Sequence, residues 1–177
     1  MFGTLQLPHH GLIARTNVTI CSATWYASRA RDMNIRSATR DDVATLAAID
    51  VAAKRAAMPT IAWPRSEAEV RWFIGERLLP TGRVVVAEIA GEVAGYMATA
   101  PGWIEQLYLR QDVWRRGIGS ALMARAKAEN PDGLRLRCFQ VNTQGRAFYE
   151  RHGFVVEALG DGSNNEEGAP DILYVWR

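Results

Sequence analysis

Residues 103–123, WIEQLYLRQDVWRRGIGSALM, constrain the chain more than any other stretch. Ile104, Leu107, Tyr108 and Leu109 make a short, apolar, β-prone run. Arg110, Gln111 and Asp112 then read as a polar turn. Ile118, Leu122 and Ala126 recur at helical spacing. Between strand and helix stand Arg115, Arg116, Gly117 and Gly119. A glycine-rich turn that opens a helix presents backbone N–H groups and the positive end of the helix dipole. This is an anion site, and phosphate is its usual anion.

The rest of the chain must supply a core for this unit. Its 177 residues suit one domain, and 48% apolar with 23% charged residues gives ample core material. No apolar run approaches the roughly 18–20 residues that a bilayer span needs. Cys21 and Cys138 are too few for a disulfide framework, and with His9, His10 and His152 they lack metal-ligand spacing. A reducing, cytoplasmic setting and no metal site are expected. The net charge of +2 resides in the first 33 residues, where Arg15, Arg29 and Arg31 stand against Asp32. The remainder is balanced, which argues against a nucleic-acid-binding surface.

Residues 1–33 show no sustained periodicity and are read as a disordered extension. Their Arg/Ser-rich, acid-poor composition resembles an organelle transit peptide, but they lack the continuous apolar stretch of a secretory signal. The domain is expected over 34–177. A strand is predicted over 34–38. Thr39 with Asp42 then opens a helix to about Met58, burying Val43, Leu46, Ala47, Ile49 and Ala53. Ser66 and Glu69 form a second capping box, and the helix they open is expected to stop before Pro80. Strands follow over 84–89, 93–100 and 103–109, then the glycine-rich turn and a helix to Glu129. A strand over 134–141 leads to a helix capped by Asn142 and ended by Gly153. Strands over 154–158 and 172–176 flank the polar loop 160–170. The order β-α-α-β-β-β-α-β-α-β-β is an α/β pattern on a mixed sheet.

A dinucleotide fingerprint is excluded because Leu122 stands where the third glycine is required. A P-loop is excluded because its Lys-Ser/Thr pair is absent. LYLRQDVWRRGIGSAL at 107–122 and VNTQGRAFYERHGF at 141–154 instead resemble the GNAT N-acetyltransferase superfamily. The family's acyl-CoA loop, Q/R-x-x-G-x-G/A, falls on Trp114, Arg115, Arg116, Gly117, Ile118 and Gly119, with Trp114 departing from the pattern. The second segment is similar to the family's N-x-x-A/G-x-x-x-Y-E-x-x-G-F, with Asn142 and Tyr149 at the expected separation.

The resemblance implies a GNAT-like α/β (α+β) fold. Its sheet is mixed, mostly antiparallel, of about seven strands flanked by four helices and splayed at the central strands. It also implies acetyl-CoA as cosubstrate. Amides of residues 115–120, Ser120 included, would hold the pyrophosphate, with charge from Arg115 and Arg116. The backbones of Leu107, Tyr108 and Leu109 would line the pantetheine arm, and an N–H there would face the thioester oxygen. Asn142 would cap its helix and touch the arm.

Transfer to an amine requires a base, since an alkyl ammonium has a pKa near ~10. Glu105 is the candidate, acting directly or through a water. Strict alternation sets it on one face with Trp103, Leu107 and Leu109. The alternative for Glu105 is a sheet-rim carboxylate or an ion pair. Tyr149 resembles the family's general acid, which returns a proton to the departing thiolate; its alternative is a core tyrosine. Cys138, without a paired histidine, is read as core. Asp161, Glu166, Glu167 and Asp171 form either a cation-favouring cluster or a solvated loop. Trp63, Trp103 and Tyr96 either line an acceptor pocket or fill the core. The leading reading is acetyl transfer to a primary amine of a small molecule. Acetylation of a protein or peptide N-terminus is the runner-up, and a non-catalytic acyl-CoA-binding module comes from another class. No nucleic acid or membrane partner is expected, and a homodimer stays open.

Overall fold

The computed structural model describes residues 33–177. The expected extension lies outside the described residues apart from Met33, which already pairs with Ile89 in the first strand. The elements are β1 (Met33–Ser37), α1 (Val43–Ala57), α2 (Glu67–Phe73), β2 (Val84–Ile89), β3 (Glu92–Ala100), β4 (Trp103–Leu109), α3 (Ile118–Glu129), β5 (Leu134–Phe139), α4 (Thr143–Arg151), β6 (Val155–Gly160) and β7 (Asp171–Trp176). The strands form one seven-stranded sheet in the order β1-β2-β3-β4-β5-β7-β6. Every neighbouring pair is antiparallel except β4 and β5, which are parallel.

Period-two alternation distributes the strand side chains between two apolar layers. Val84 and Val86 of β2 pack under α1 and α2 with Leu46, Ile74 and Tyr96. Val85 and Ala87 pack on the opposite side with Met97, Leu122 and Leu136. Both faces of the sheet are covered, so β2 reads as an unbroken apolar run rather than an alternating one. No helix among the described residues is long and apolar enough to cross a membrane.

Local chemistry sets the helix starts. The Ser66 hydroxyl accepts from the Glu69 N–H, and the Glu69 carboxylate accepts from the Ser66 N–H at 2.8 Å, a reciprocal cap. The Asp42 carboxylate likewise accepts from the Thr39 N–H at 2.7 Å.

Two boundaries differ from expectation. The second helix does not run regularly to Leu78. It widens into a π turn over Ile74–Leu78 and tightens into a 3-10 turn over Leu79–Thr81 that contains Pro80. Proline is tolerated there because the first N–H groups of a helical turn need no partner. The strand expected over 134–141 ends at Phe139. The Gln140 N–H still donates to Pro170 O at 2.9 Å, but proline has no N–H to return, and the Gln140 side-chain amide donates to the carbonyls of Gly160 and Asp171.

Candidate active site

The glycine-rich turn sits at the N-terminus of α3. Gly117 caps the helix at φ 83°, a left-handed conformation for which glycine is suited, and nothing crowds the site of its missing Cβ. The requirement at Gly117 is therefore conformational. Gly119 is required for space instead, because a Cβ there would stand 3.2 Å from Phe148 Cε2 on α4. Arg115 also has positive φ, at 62°, so the chain reverses sharply just before the helix. The first intrahelical bond is Ala121 N–H to Gly117 O, which leaves the amides of Ile118, Gly119 and Ser120 without intrahelical partners. Arg115 and Arg116 are exposed beside them. The Ser120 hydroxyl is within 3.0 Å of His152 Nε2, while its backbone amide stays with the turn. These residues fit a pyrophosphate: an exposed helix start, close approach at glycine and adjacent cationic charge.

The strand that feeds this turn has an open edge. β4 meets β5 only at Trp103 and Arg135, after which the strands diverge. The Arg110 N–H donates to Ala94 O on β3. By alternation, the N–H groups of Leu109 and Leu107 point to the opposite edge, into the splay. The Leu109 carbonyl on that edge already has a partner, for Trp114 Nε1 donates to it at 3.0 Å. The pantetheine-lining edge expected over 107–109 is thus narrowed: the Leu107 N–H and C=O and the Leu109 N–H face the gap, and the Leu109 C=O is taken.

The expected face of Glu105 needs correction. The pairing of β3 with β4 shifts between Ala98 and Thr99: Ala98 faces Gln106 and Thr99 faces Ile104. Glu105 is the extra residue of a β-bulge, and alternation breaks there. Ile104, not Glu105, shares the apolar layer with Leu107 and Leu109. Glu105 is exposed.

Tyr149 lies on α4, packed edge-on against Phe154 at 6.0 Å and tilted against Tyr174 at 6.2 Å. Burial pushes its phenol well up, and the neighbouring Cys138 thiol adds to this, so the proton is held throughout the physiological range. Cys138 is buried in β5. Burial pushes its thiol up to about 12, with Glu150 and Asp171 acting the same way and Arg146 opposing. It is a neutral core thiol rather than a nucleophile. The Asn142 side chain caps α4 by accepting from the Gly145 N–H at 2.9 Å.

Residues 80–156 match the family model of the acetyltransferase (GNAT) domain. That span contains β2 to β4, the glycine-rich turn, α3, β5 and α4. Over these residues the chain is similar to a GNAT acetyltransferase domain, the domain of an acyltransferase. Solved structures have the same fold. Apo YjaB from Escherichia coli superposes with a TM-score of 0.69 at 21% identity, over 81% of this chain and 97% of that one. PaiA N-acetyltransferase from Thermoplasma acidophilum, solved in complex with coenzyme A, gives 0.66 at 18% identity, over 82% and 98%. Ard1 from Thermoplasma volcanium gives 0.64 at 19%, over 82% and 97%.

The protein has a cavity of ≈ 340 Å³ on the α1 side of β4. Gln106 of β4 lines it, with Asp50 and Lys54 of α1, Trp63 from the loop after α1, and Glu166 and Glu167 from the loop before β7. Asp50 is 2% exposed. Its carboxylate accepts from the Tyr96 hydroxyl at 2.7 Å and forms an ion pair with the Lys54 ammonium at 2.8 Å. Burial first, and then the Asp50 charge, keep the Tyr96 phenol protonated as donor. Lys54 Nζ also lies 5.3 Å from the Trp63 ring centre and 5.1 Å from that of Tyr108. A buried carboxylate, an ammonium and two aromatic rings form one wall. The sequence pattern did not single out Asp50 and Lys54; an Asp–Lys pair four residues apart, with its Asp inside the apolar stripe of α1, was the available signal.

The other expected pocket residues separate. Trp63 lines the cavity, Tyr96 is wholly buried beneath it, and Trp103 sits at the β4–β5 junction. The acidic loop does not act as one cluster. Asp161 accepts from Ser163, and Asp171 is buried and pairs with the exposed Arg137. Glu166 pairs with Arg65, and Glu166 and Glu167 alone of the four reach the cavity.

Proposed function

We propose that the protein transfers the acetyl group of acetyl-CoA to a primary amine of a small molecule. The observation that carries this reading is the shared strand. β4 offers an open backbone edge next to the amide-lined start of α3, and its Gln106 side chain lines a partly open cavity. A donor laid along the edge and an acceptor held in the cavity would meet near Gln106 and Tyr108.

In this reading the amides of residues 117–120, with Arg115 and Arg116, hold the pyrophosphate. The free groups of Leu107 and Leu109 hold the pantetheine arm. A backbone N–H on this edge faces the thioester oxygen and stabilises the charge that develops on it. The acceptor ammonium gives a proton to Glu105 through a water, which suits a carboxylate exposed at the bulge. The amine nitrogen then attacks the carbonyl carbon. The C–N bond forms, the C–S bond breaks, and the electron pair leaves on sulfur. Tyr149 passes its proton to the thiolate and is reprotonated from solvent.

The test is free-thiol release from acetyl-CoA against polyamines, amino acids, aminoglycosides and short peptides. Turnover with small amines supports the reading. Turnover with peptides alone would move the assignment to N-terminal acetylation. Acetyl-CoA binding without thiol release for any amine would favour a binding module.

A further inference from the structure

The cavity's charges mostly cancel in pairs. Asp50 is matched by Lys54, and Glu166 by Arg65. Two charged residues of the lining, Arg55 of α1 and Glu167, make no hydrogen bond or ion pair among the described residues, although the Glu167 charge also acts on the Arg65 guanidinium. One is a fixed cation and the other a carboxylate. Glu167 is half-buried, and its charge acts on the Tyr108 phenol of β4. The same wall holds three buried polar atoms without hydrogen-bond partners, Trp63 Nε1, Gln106 Oε1 and Asp50 Oδ1, the last of them ion-paired with Lys54. Such atoms are rare in native structures and call for a ligand, water or rearrangement to complete them. The indole N–H is a donor only and a carboxylate is an acceptor only, while the Gln106 amide can serve either way by a half turn.

We infer that the cavity takes a small zwitterion, an amine that carries a carboxylate on the same molecule, with its ammonium toward Glu167 and its carboxylate toward Arg55 and Trp63. This rests on the reading of the cavity as the acceptor site. A polyamine would satisfy Glu167 but bring more positive charge beside Lys54 and Arg55, and it has no acceptor for the indole N–H. A simple carboxylate would satisfy Arg55 but meet Glu167. Only a ligand with both groups completes both leftovers. The apolar part of the lining, Val51, Val70 and Phe73, accommodates a hydrocarbon portion, and the volume of ≈ 340 Å³ has room for a ligand of amino-acid size.

The experiment compares one α-amino acid with its methyl ester and its decarboxylated amine, adds spermidine, and reads thiol release from acetyl-CoA by the full-length protein. The expected result is a kcat/KM for the amino acid about 10-fold or more above the ester and the decarboxylated amine, the scale of one lost charge-assisted contact. Arg55→Gln, an exposed change, is expected to raise KM for the amino acid by a similar factor and to leave the ester's KM unchanged. Ester, decarboxylated amine or spermidine turned over as well as the amino acid would overturn the zwitterion while acetyl transfer to amines stands. No thiol release with any of the four, or with any other amine, would overturn both.

Discussion

Trp114 Nε1 donates a hydrogen bond to the carbonyl of Leu109 at 3.0 Å. This bond ties the loop that delivers α3 to the last residue of β4. It explains how the chain departs from the family pattern at position 114 and still holds its turn: a side chain of this chain's own fixes the distance between the open edge of β4 and the amides at the start of α3. Trp114→Phe keeps the ring and removes the donor. It is expected to raise the dissociation constant for acetyl-CoA about 5-fold, the scale of one lost hydrogen bond. Isothermal titration measures this directly. An unchanged constant would mean that the turn holds its shape without the indole.

The two family-like segments were legible because their glycines and Asn142 act through backbone geometry, which short sequence patterns encode. Gly117 needs its positive φ, Gly119 its clearance from Phe148, and Asn142 its cap. The face of Glu105 was not legible. A β-bulge depends on how β3 and β4 register against each other, and strand periodicity within β4 carries no trace of it. The Asp50–Lys54 wall was hidden for a related reason. A helical stripe tells which residues are buried, but the partner that makes a buried carboxylate tolerable, Tyr96, lies on β3. The acidic loop misled by composition, since its four carboxylates go to three different places.

Tyr149→Phe tests the acid. The ring contacts with Phe154 and Tyr174 survive the change, so the melting temperature is expected to hold within about 2 °C. The lost proton donor is expected to lower kcat about 10-fold or more while KM for acetyl-CoA changes little. Steady-state kinetics with a saturating amine decide it, and a wild-type kcat would remove Tyr149 from the reaction.

Asp50 and Lys54 invite a double-mutant cycle. Asp50→Ala leaves the Lys54 ammonium against Trp63 and Tyr108 without its carboxylate, and leaves the Tyr96 hydroxyl without its acceptor. A loss of about 3 kcal/mol is expected, since removing one member of a buried pair strands the other. Lys54→Met alone should also destabilise, because it strands the carboxylate. Asp50→Ala combined with Lys54→Met is expected to cost clearly less than the sum of the two single changes, as neither charge is then left without its partner. Urea unfolding of the four proteins gives the coupling. Simple additivity of the single changes would show that the pair does not act as a unit.

Acid sensitivity should trace to Asp42. Hydrogen bonds from the Arg36 guanidinium, at 2.8 and 2.9 Å, are the largest influence on its carboxyl; burial opposes them and the Thr39 bonds assist. Together they hold it down at about 2. An unfolded aspartate takes up its proton near ~3.9. Between these values the unfolded chain binds more protons than the folded one, so stability must fall as the pH falls. The contribution is complete above about pH 5 and is lost progressively as the pH drops through 4 toward 2. Its size is about 3 kcal/mol, from a displacement of roughly 1.9 pH units at 1.36 kcal/mol each. Asp42→Asn keeps the shape but has no proton to take up. It is expected to be less stable than wild type at pH 7 and to approach it near pH 2.5, and chemical denaturation at pH 7, 5, 4 and 2.5 measures the convergence. A constant gap between the two proteins across that range would show that the Arg36–Asp42 pair does not govern the acid limb.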